Sequence, residues 1–134
     1  MVSVEVAQPV RTFGSFARAD ADQWFVNQFE DGLSGNVLDV GCGSGLELKY
    51  LSNKFPNAVF YALDMDGCDV VKENLDRLKG SGISNLKSVH AHSLPNPLPF
   101  ERDSFSTIYS RLTLHYFDDA TLSKQILPDF HRVL

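Results

Sequence analysis

The sequence has little of what several protein classes require. Its two cysteines, Cys42 and Cys68, are too few for a disulfide framework, and neither has the CxxC or Cys/His spacing of a metal site. The formal charge is −5, and no run of Lys or Arg forms the basic stripe that contacts to nucleic-acid phosphates need. The apolar runs are short and broken by Gly, Asp or Ser, so none can span a bilayer. We therefore expect no metal, no nucleic acid and no membrane among its partners.

The first residues also lack the features of a secretory signal. The segment MVSVEVAQPVRTFGSF has neither a basic start nor an unbroken apolar core. Together with the small number of cysteines, this predicts a reduced, cytoplasmic setting. What the sequence does have is an ordinary globular balance, with 43% hydrophobic and 22% charged residues in a chain of 134. That length is sufficient for one domain with a buried core.

Apolar segments of strand length alternate with segments of helical spacing. The strand-like segments are residues 36–40, 58–63, 85–92 and 105–110. The helical segments are residues 18–31, 46–55, about 66–80 and about 118–134. Such alternation is typical of a parallel sheet with crossover helices, so the predicted fold class is α/β and Rossmann-like. We divide the chain into an N-terminal helical segment that could serve as a lid, residues 1–35, and an α/β domain, residues 36–134.

The first strand of the α/β domain runs into a glycine-rich loop, Asp39-Val40-Gly41-Cys42-Gly43-Ser44-Gly45, and then into a helix. Glycine lets the backbone turn tightly and approach a ligand without an intervening Cβ. The helix N-terminus adds N–H groups and a positive dipole end. A dinucleotide-binding loop reads GxGxxG or GxGxxA, but Leu46 occupies the sixth position here. This disfavours a nicotinamide-dependent oxidoreductase.

The second feature that indicates a ligand is the carboxylate of Asp64. It ends the next predicted strand, so it should reach the same rim of the sheet as the glycine loop. A carboxylate in that position can accept hydrogen bonds from both hydroxyls of a ribose, and charged acceptors form the stronger bonds. The arrangement predicts a nucleoside ligand with free 2′ and 3′ hydroxyls.

Four segments, taken in order, resemble class I S-adenosylmethionine-dependent methyltransferases: VLDVGCGSG, YALDMD, LPNPLPFERDSFSTIYSRLTLHYFDD and HRVL. They are similar to the small-molecule branch that includes malonyl-carrier-protein O-methyltransferases and ubiquinone or menaquinone C-methyltransferases. The resemblance covers residues 36–134. It implies S-adenosyl-L-methionine as cofactor, a small-molecule acceptor, and the front half, with four strands, of a seven-stranded domain.

The resemblance also implies which residues would bind the cofactor. Those around its methionine and ribose parts would be Asp39, Gly41, Gly43 and Gly45, with Asp64 on the ribose hydroxyls. Cys42 and Ser110 are also expected to bind the cofactor. Met65 would lie against the adenine. His92 stands where the family often has an acidic residue near the adenine amino group, and Ser93 or the backbone near Leu94 could hold the adenine edge instead.

The sequence also offers candidates for a catalytic base and for a lid over the acceptor site. His115 follows the fourth strand, where members of the family line the acceptor pocket, and it is the candidate base for a hydroxyl or carbon acceptor. A packed structural histidine is the alternative. Trp24, Phe13 and Phe16 could cap the acceptor site or could pack in the core.

The resemblance ends before the last strands of the family domain. The chain stops at Leu134, so we expect a fragment, or a front half whose fourth strand has an unpaired edge. A second copy or a partner chain could cover that edge. The alternative to a working methyltransferase is a non-catalytic or partner-dependent module that binds S-adenosylmethionine.

Overall fold

The structure, a computed structural model, describes the backbone of residues 4–7 and all atoms of residues 23–134. Its described strands form one sheet with the order β1-β5-β2-β3-β4, and every pairing in it is parallel. The strands are β1 (Val4–Ala7), β2 (Asn36–Val40), β3 (Val59–Asp64), β4 (Leu86–Ala91) and β5 (Thr107–Arg111). The helices are α1 (residues 23–27), α2 (Leu46–Lys54), α3 (Asp69–Lys79), α4 (Asp119–Thr121) and α5 (Leu127–Val133). The predicted α/β class is confirmed.

Strand β1 differs from the prediction for the N-terminal segment. The sequence predicts a helical segment, but residues 4–7 form a strand that pairs with residues 108–111 of β5. The predicted unpaired edge of the fourth strand, now β5, is therefore wrong, because β1 covers it. The boundary between residues 35 and 36 stays a prediction. Phe13 and Phe16 lie outside the described residues.

Side chains alternate between the two faces of the sheet, and each face has its own core. Val37 points to the first core and Leu38 to the second. The first core packs α1, α2 and α3 on the sheet through Phe25, Phe29, Leu48, Leu51, Phe60, Leu75 and Leu78. The second packs the chain's last helical region through Leu98, Phe105, Ile108, Ile126, Phe130 and Val133. Apolar cover on both faces is what a parallel sheet requires.

The last helical region is not uniform. It begins at Asp118, whose carboxylate accepts a hydrogen bond of 2.7 Å from the Thr121 N–H. Between α4 and α5 lies a π-helical turn, residues 122–126, in which the Leu127 N–H donates to the Leu122 carbonyl. Pro128 follows at once and has no N–H to donate to the preceding turn. The wider turn therefore lies where the regular α-helical bonds are interrupted.

The carboxyl ends of β2, β3, β4 and β5 meet at one rim of the sheet, because all four strands run in the same direction. The segments that follow these strands carry most of the residues that the sequence predicts for the site. No helix in the described part of the chain is long and apolar enough to cross a membrane.

Candidate functional site

A cavity of about 670 Å³ opens at this rim. Its size lies within the usual range of small-molecule sites. The predicted site residues that line it are Gly41, Cys42, Gly43, Asp64, Met65, His92, Ser93 and Leu94. Those that do not line it are Asp39, Gly45, Ser110 and His115. The structure thus brings together the residues predicted for the ribose and adenine parts of a nucleoside.

One wall of the cavity is formed by residues 41–44 of the loop of residues 41–45, which we call the glycine wall. Gly41 has φ +77°, and a Cβ placed there would lie 1.9 Å from Thr113 Oγ1. Gly43 has φ +54°, and a Cβ placed there would meet nothing within 4 Å. Gly41 therefore allows the loop to pack against the end of β5, whereas Gly43 leaves the backbone open toward the cavity.

Asp64 ends β3 directly across from the glycine wall. Its Oδ2 accepts a hydrogen bond of 2.9 Å from the Gly43 N–H, and its Oδ1 accepts one of 2.7 Å from the Met65 N–H. A carboxylate has about four acceptor positions, so two bonds leave capacity for a ligand. The two backbone donors fix the orientation of the carboxylate at the cavity edge.

Another side of the cavity is lined by His92, Ser93 and Leu94, which begin a segment of residues 92–100 that we call the proline wall. His92 N–H donates to the Asp64 carbonyl at 2.8 Å, and Ser93 Oγ accepts from the Asp66 N–H at 2.9 Å. The His92 ring bonds to the Asn96 carbonyl at 3.0 Å. These contacts join the start of the proline wall to the end of β3, beside Asp64.

An ion pair on α5, Arg132 with Asp129, holds the far part of the proline wall; we call it the arginine clamp. Arg132 donates to the carbonyls of Phe100 and Leu98 at 2.7 and 3.0 Å, and to Asp129 Oδ1 at 2.7 Å. Asp129 Oδ2 accepts from the Leu98 N–H at 2.6 Å. Partial burial acts to raise the pKa of Asp129, but the bonds from Arg132 and Leu98 outweigh it, and the pKa is lowered.

Asp39 lies beneath the glycine wall and points into the first core. Its carboxylate accepts a hydrogen bond of 2.8 Å from the Tyr109 hydroxyl, and both side chains are buried. Burial raises the pKa of Asp39 well above 3.8, despite the opposing effect of the Tyr109 bond. Burial also raises the pKa of Tyr109. The predicted contact of Asp39 with a cofactor stays a prediction.

Two further predicted residues have local structural contacts. Ser110 is buried, and its hydroxyl donates to the Val40 carbonyl at 2.9 Å, which links β5 to β2. Gly45 caps the N-terminus of α2, and a Cβ placed there would lie 2.7 Å from Leu78 Cδ1. Both residues therefore support the rim from below the cavity surface.

The predicted base and the predicted lid residue lie outside the cavity lining. His115 is exposed, and its ring lies against that of Tyr116 with centroids 4.1 Å apart. Trp24 is 52% exposed. Cys42 does line the cavity, but burial raises the pKa of its thiol well beyond the ordinary range. A neutral thiol is a poor nucleophile, so we do not expect Cys42 to react with a ligand.

Several cavity residues are missing from the sequence prediction, above all Glu47 and Arg111. Arg111 Nη1 donates to Glu47 Oε1 at 2.7 Å, and its guanidinium lies 5.5 Å from the centroid of the Phe25 ring. Arg111 is the last residue of β5, and Glu47 lies in the first turn of α2. The rule that ligands bind beyond strand ends could have identified Arg111. Thr113, Tyr116 and Phe117 complete this side.

Comparison with protein families gives one match over most of the chain. Residues 37–134 match the family model described as a methyltransferase domain. None of the curated proteins matches the sequence significantly. The matched residues begin in β2 and include the glycine wall, Asp64, the proline wall and α5.

Solved structures share the fold. An S-adenosylmethionine-dependent methyltransferase from Aquifex aeolicus has 27% identity and a TM-score of 0.62, over 84% of this chain and 57% of that one. The YcgJ protein of Bacillus subtilis has 23% identity and a TM-score of 0.63, over 87% and 46%. A geranyl diphosphate C-methyltransferase from Streptomyces coelicolor A3(2) has 14% identity and a TM-score of 0.54, over 77% and 38%. The chain thus spans about half the length of the structures that it matches.

Proposed function

Because the chain belongs to the methyltransferase domain family, we propose that it binds S-adenosyl-L-methionine in the cavity at the carboxyl rim and takes part in methyl transfer to a small-molecule acceptor. The observation that carries the proposal is the pairing of an open glycine wall with the oriented Asp64 carboxylate. The space that a Cβ of Gly43 would occupy is open, as backbone contact with a ligand requires.

The residues present fit the nucleoside part of this cofactor. Asp64 would accept hydrogen bonds from the ribose hydroxyls, since its carboxylate faces the cavity and is fixed by two backbone donors. Met65 is 51% exposed and offers an apolar surface for the adenine. His92, Ser93 and Leu94 would border the adenine edge from the proline wall.

Two matched structures support the choice of cofactor. The Streptomyces coelicolor enzyme is in complex with S-adenosyl-L-homocysteine, and the PKMT2 protein of Rickettsia typhi is in complex with AdoHcy. The proposed acceptor is a small molecule that is methylated on oxygen, carbon or nitrogen, because the cavity has the size of a small-molecule site.

The cofactor, when bound, supplies an activated methyl group on a sulfonium. The chain's own contribution is to position an acceptor and to exclude water, which are the main requirements of such a transfer. Tyr116 and Phe117 line the cavity beside Thr113 and could shield an acceptor. His115 as the base remains a proposal, since its ring is exposed and stacks on Tyr116.

The test is calorimetric titration of S-adenosylhomocysteine into the wild-type chain and into Asp64→Asn. We expect saturable binding by the wild type and a loss of about 10- to 100-fold in the variant, because charged acceptors form the stronger hydrogen bonds. Asp66→Asn is the matched control, because Asp66 is the neighbouring exposed carboxylate and does not line this cavity. It should bind like the wild type.

Two outcomes would contradict the proposal. One is a well-folded wild-type chain, judged by circular dichroism and cooperative thermal unfolding, that does not bind the ligand at millimolar concentration. The other is Asp64→Asn binding as tightly as the control. Catalysis needs a separate assay, because the chain spans 57%, 46% and 38% of the three structures described above. A chain that binds the cofactor without transferring methyl groups would favour the non-catalytic module.

A further inference from the structure

One edge of the sheet is β4, Leu86–Ala91, which pairs with β3 and with no other strand of the described residues. None of its six residues is buried, whereas all five residues of β5 are. Just after β4, the His92 N–H donates to the Asp64 carbonyl of β3, and successive residues of a strand turn their backbone groups to alternate sides. The backbone groups of Val89 and Ala91 therefore face away from β3. Such an edge can pair with a strand of another chain.

A groove follows this edge between β4 and α3. It consists of two depressions of about 270 and 160 Å³, and Lys79 lines both of them. Together they are lined by five of the six β4 residues, Leu86, Lys87, Ser88, Val89 and Ala91. The charged residues that α3 contributes, which we call the charge stripe, are Asp69, Lys72, Asp76 and Lys79. Because they are three or four positions apart, they lie on one side of the helix.

The charges of the stripe alternate in sign, yet no ion pair joins them. The ion pairs of the described residues are those of Arg111 with Glu47 and of Arg132 with Asp129. All four side chains of the stripe are exposed. The stripe is therefore available to the charges of another molecule.

The order of these charges matches one partner in particular, a second copy of this chain. If two copies of α3 lay antiparallel about a two-fold axis, Asp69 would stand across from Lys79 of the other copy. Lys72 would stand across from Asp76, because both pairs of positions are centred on residue 74. Every charge of the stripe would then meet its opposite. A partner whose charges all had one sign would meet like charges at half of these positions.

The sheet accommodates the same symmetry. β4 would pair antiparallel with its copy, with Val89 opposite Val89 and Lys87 opposite Ala91. Neighbouring strands lie about 4.8 Å apart and packed helices about 8–10 Å, so helices that lie just inside the two edges would be in contact. An edge lysine such as Lys87 discourages pairing with an arbitrary strand. Here Ala91 shares its depression with Asp66 and Asp69, so Lys87 of the other copy would meet carboxylates.

We propose that β4 and the charge stripe form a two-fold interface between two copies of this chain. The two sheets join through antiparallel pairing of β4 with its copy, and the two stripes join through ion pairs. The interface needs no cofactor, so the proposal does not depend on the proposed function. It also lies at the opposite edge of the sheet from β1.

The experiment is sedimentation velocity of the 134-residue chain over concentrations from about 1 μM to about 1 mM. We expect the wild type to shift from monomer to dimer. Lys79→Glu and Asp69→Lys each place like charges across the interface twice, so each should raise the dissociation constant by at least about tenfold. Lys49→Glu, on the exposed side of α2, changes the net charge as Lys79→Glu does and should behave like the wild type.

An equimolar mixture of Lys79→Glu and Asp69→Lys provides the decisive measurement. In the mixed dimer both outer pairs are again of opposite charge, so the mixture should associate as the wild type does. Each substitution also opposes the dipole of α3, and thermal unfolding measures that loss of stability. A loss of stability alone would not be reversed by mixing.

Three results would overturn the proposal. The first is a wild-type chain that stays monomeric over the whole concentration range. The second is that the single variants associate like the Lys49→Glu control. The third is a mixture of folded variants that stays monomeric. If either variant fails to fold, Lys72→Glu and Asp76→Lys, which alter the inner pair, carry the same test.

Discussion

The two walls of the cavity are built by opposite means. The glycine wall, residues 41–45, requires a position without a side chain, because a Cβ at Gly41 would collide with Thr113. The proline wall, residues 92–100, is held by side chains, since the arginine clamp binds its backbone at Leu98 and Phe100. A ligand in the cavity would meet the open backbone at Gly43 on one side and the start of the proline wall, residues 92–94, on the other.

This difference shows how each wall should tolerate change. The glycine wall tolerates no added atom at its tight position, and one side chain, that of Asp64, binds its backbone at Gly43. The proline wall depends on bonds from Arg132 and Asp129. Substitutions that add atoms should therefore damage the first wall, and substitutions that remove bonds should damage the second.

The largest expected effect is that of Gly41→Ala. The added Cβ would lie 1.9 Å from Thr113 Oγ1 and 2.8 Å from its Cγ2, at a backbone φ of +77°. Backbone strain and overpacking together should lower the free energy of unfolding by on the order of 3–5 kcal/mol. Urea unfolding followed by circular dichroism measures the change.

Gly43→Ala is the matched control for that variant. It has a positive φ of +54° as well, but its Cβ would enter open space. We expect a loss of about 1–2 kcal/mol from the left-handed backbone alone. Equal losses for the two variants would show that contact with Thr113 does not define the glycine wall.

The next effect is that of removing the arginine clamp by Arg132→Met. The variant loses hydrogen bonds to Phe100, Leu98 and Asp129, and the Arg132 side chain is 29% exposed. We expect the free energy of unfolding to fall by about 1–2 kcal/mol, because water replaces part of the lost bonding. Arg102→Met, at an exposed position before β5, should change it by less than about 0.5 kcal/mol. A clamp variant as stable as this control would remove the contrast between the walls.

The two walls should also differ in how their stability depends on pH, because the pKa of Asp39 below the glycine wall is raised and that of Asp129 in the arginine clamp is lowered. Because burial raises the pKa of Asp39 above 3.8, the folded chain retains a proton that the unfolded chain loses. The contribution of Asp39 to the free energy of unfolding is therefore greatest below pH 3.8 and decreases as the pH rises toward its folded-state pKa. Asp39→Asn should therefore gain stability relative to the wild type from about pH 4 upward, by at most about 1.4 kcal/mol per pH unit.

Asp129→Asn should change the pH dependence of stability in the opposite direction to Asp39→Asn. The pKa of Asp129 is lowered, so its contribution is present above 3.8 and is lost as pH falls through the folded-state pKa. Its variant should lose stability relative to the wild type as pH rises out of the acid range. Thermal unfolding over a pH series measures both, and slopes of the same sign would contradict the assignment.

The elements that the sequence predicts are those whose pattern is local. Strands β2 to β5 and helices α2 and α3 follow from apolar periodicity, and their ends agree with the prediction to within a few residues. The glycine wall and Asp64 were predictable because one motif and one strand end place them at the rim. Strand β1 could also have been predicted, because Val4 and Val6 alternate with Glu5 as in a half-buried strand.

The contacts that sequence reasoning missed join residues far apart in the chain. The Arg111–Glu47 bond spans 64 positions, and the Tyr109–Asp39 bond spans 70. The bonds from Arg132 to Phe100 and Leu98 span 32 and 34. Their partners are decided by strand order and by which face a side chain takes, and no local pattern records either. For the same reason the sequence could indicate β1 as a strand without indicating that it pairs with β5.

The position of β1 has a consequence for how the chain folds. Its pairing with β5 joins Val4 to Ile108, whereas β2 and β3 join Asn36 to Val59. Closing a longer loop costs more entropy, and non-local pairs of this kind form late. A chain in which β5 has formed and β1 has not would present unpaired backbone groups of β5 to other chains. By covering this edge, residues 4–7 should protect the chain from such association, and a variant that weakens β1 should aggregate more readily during refolding.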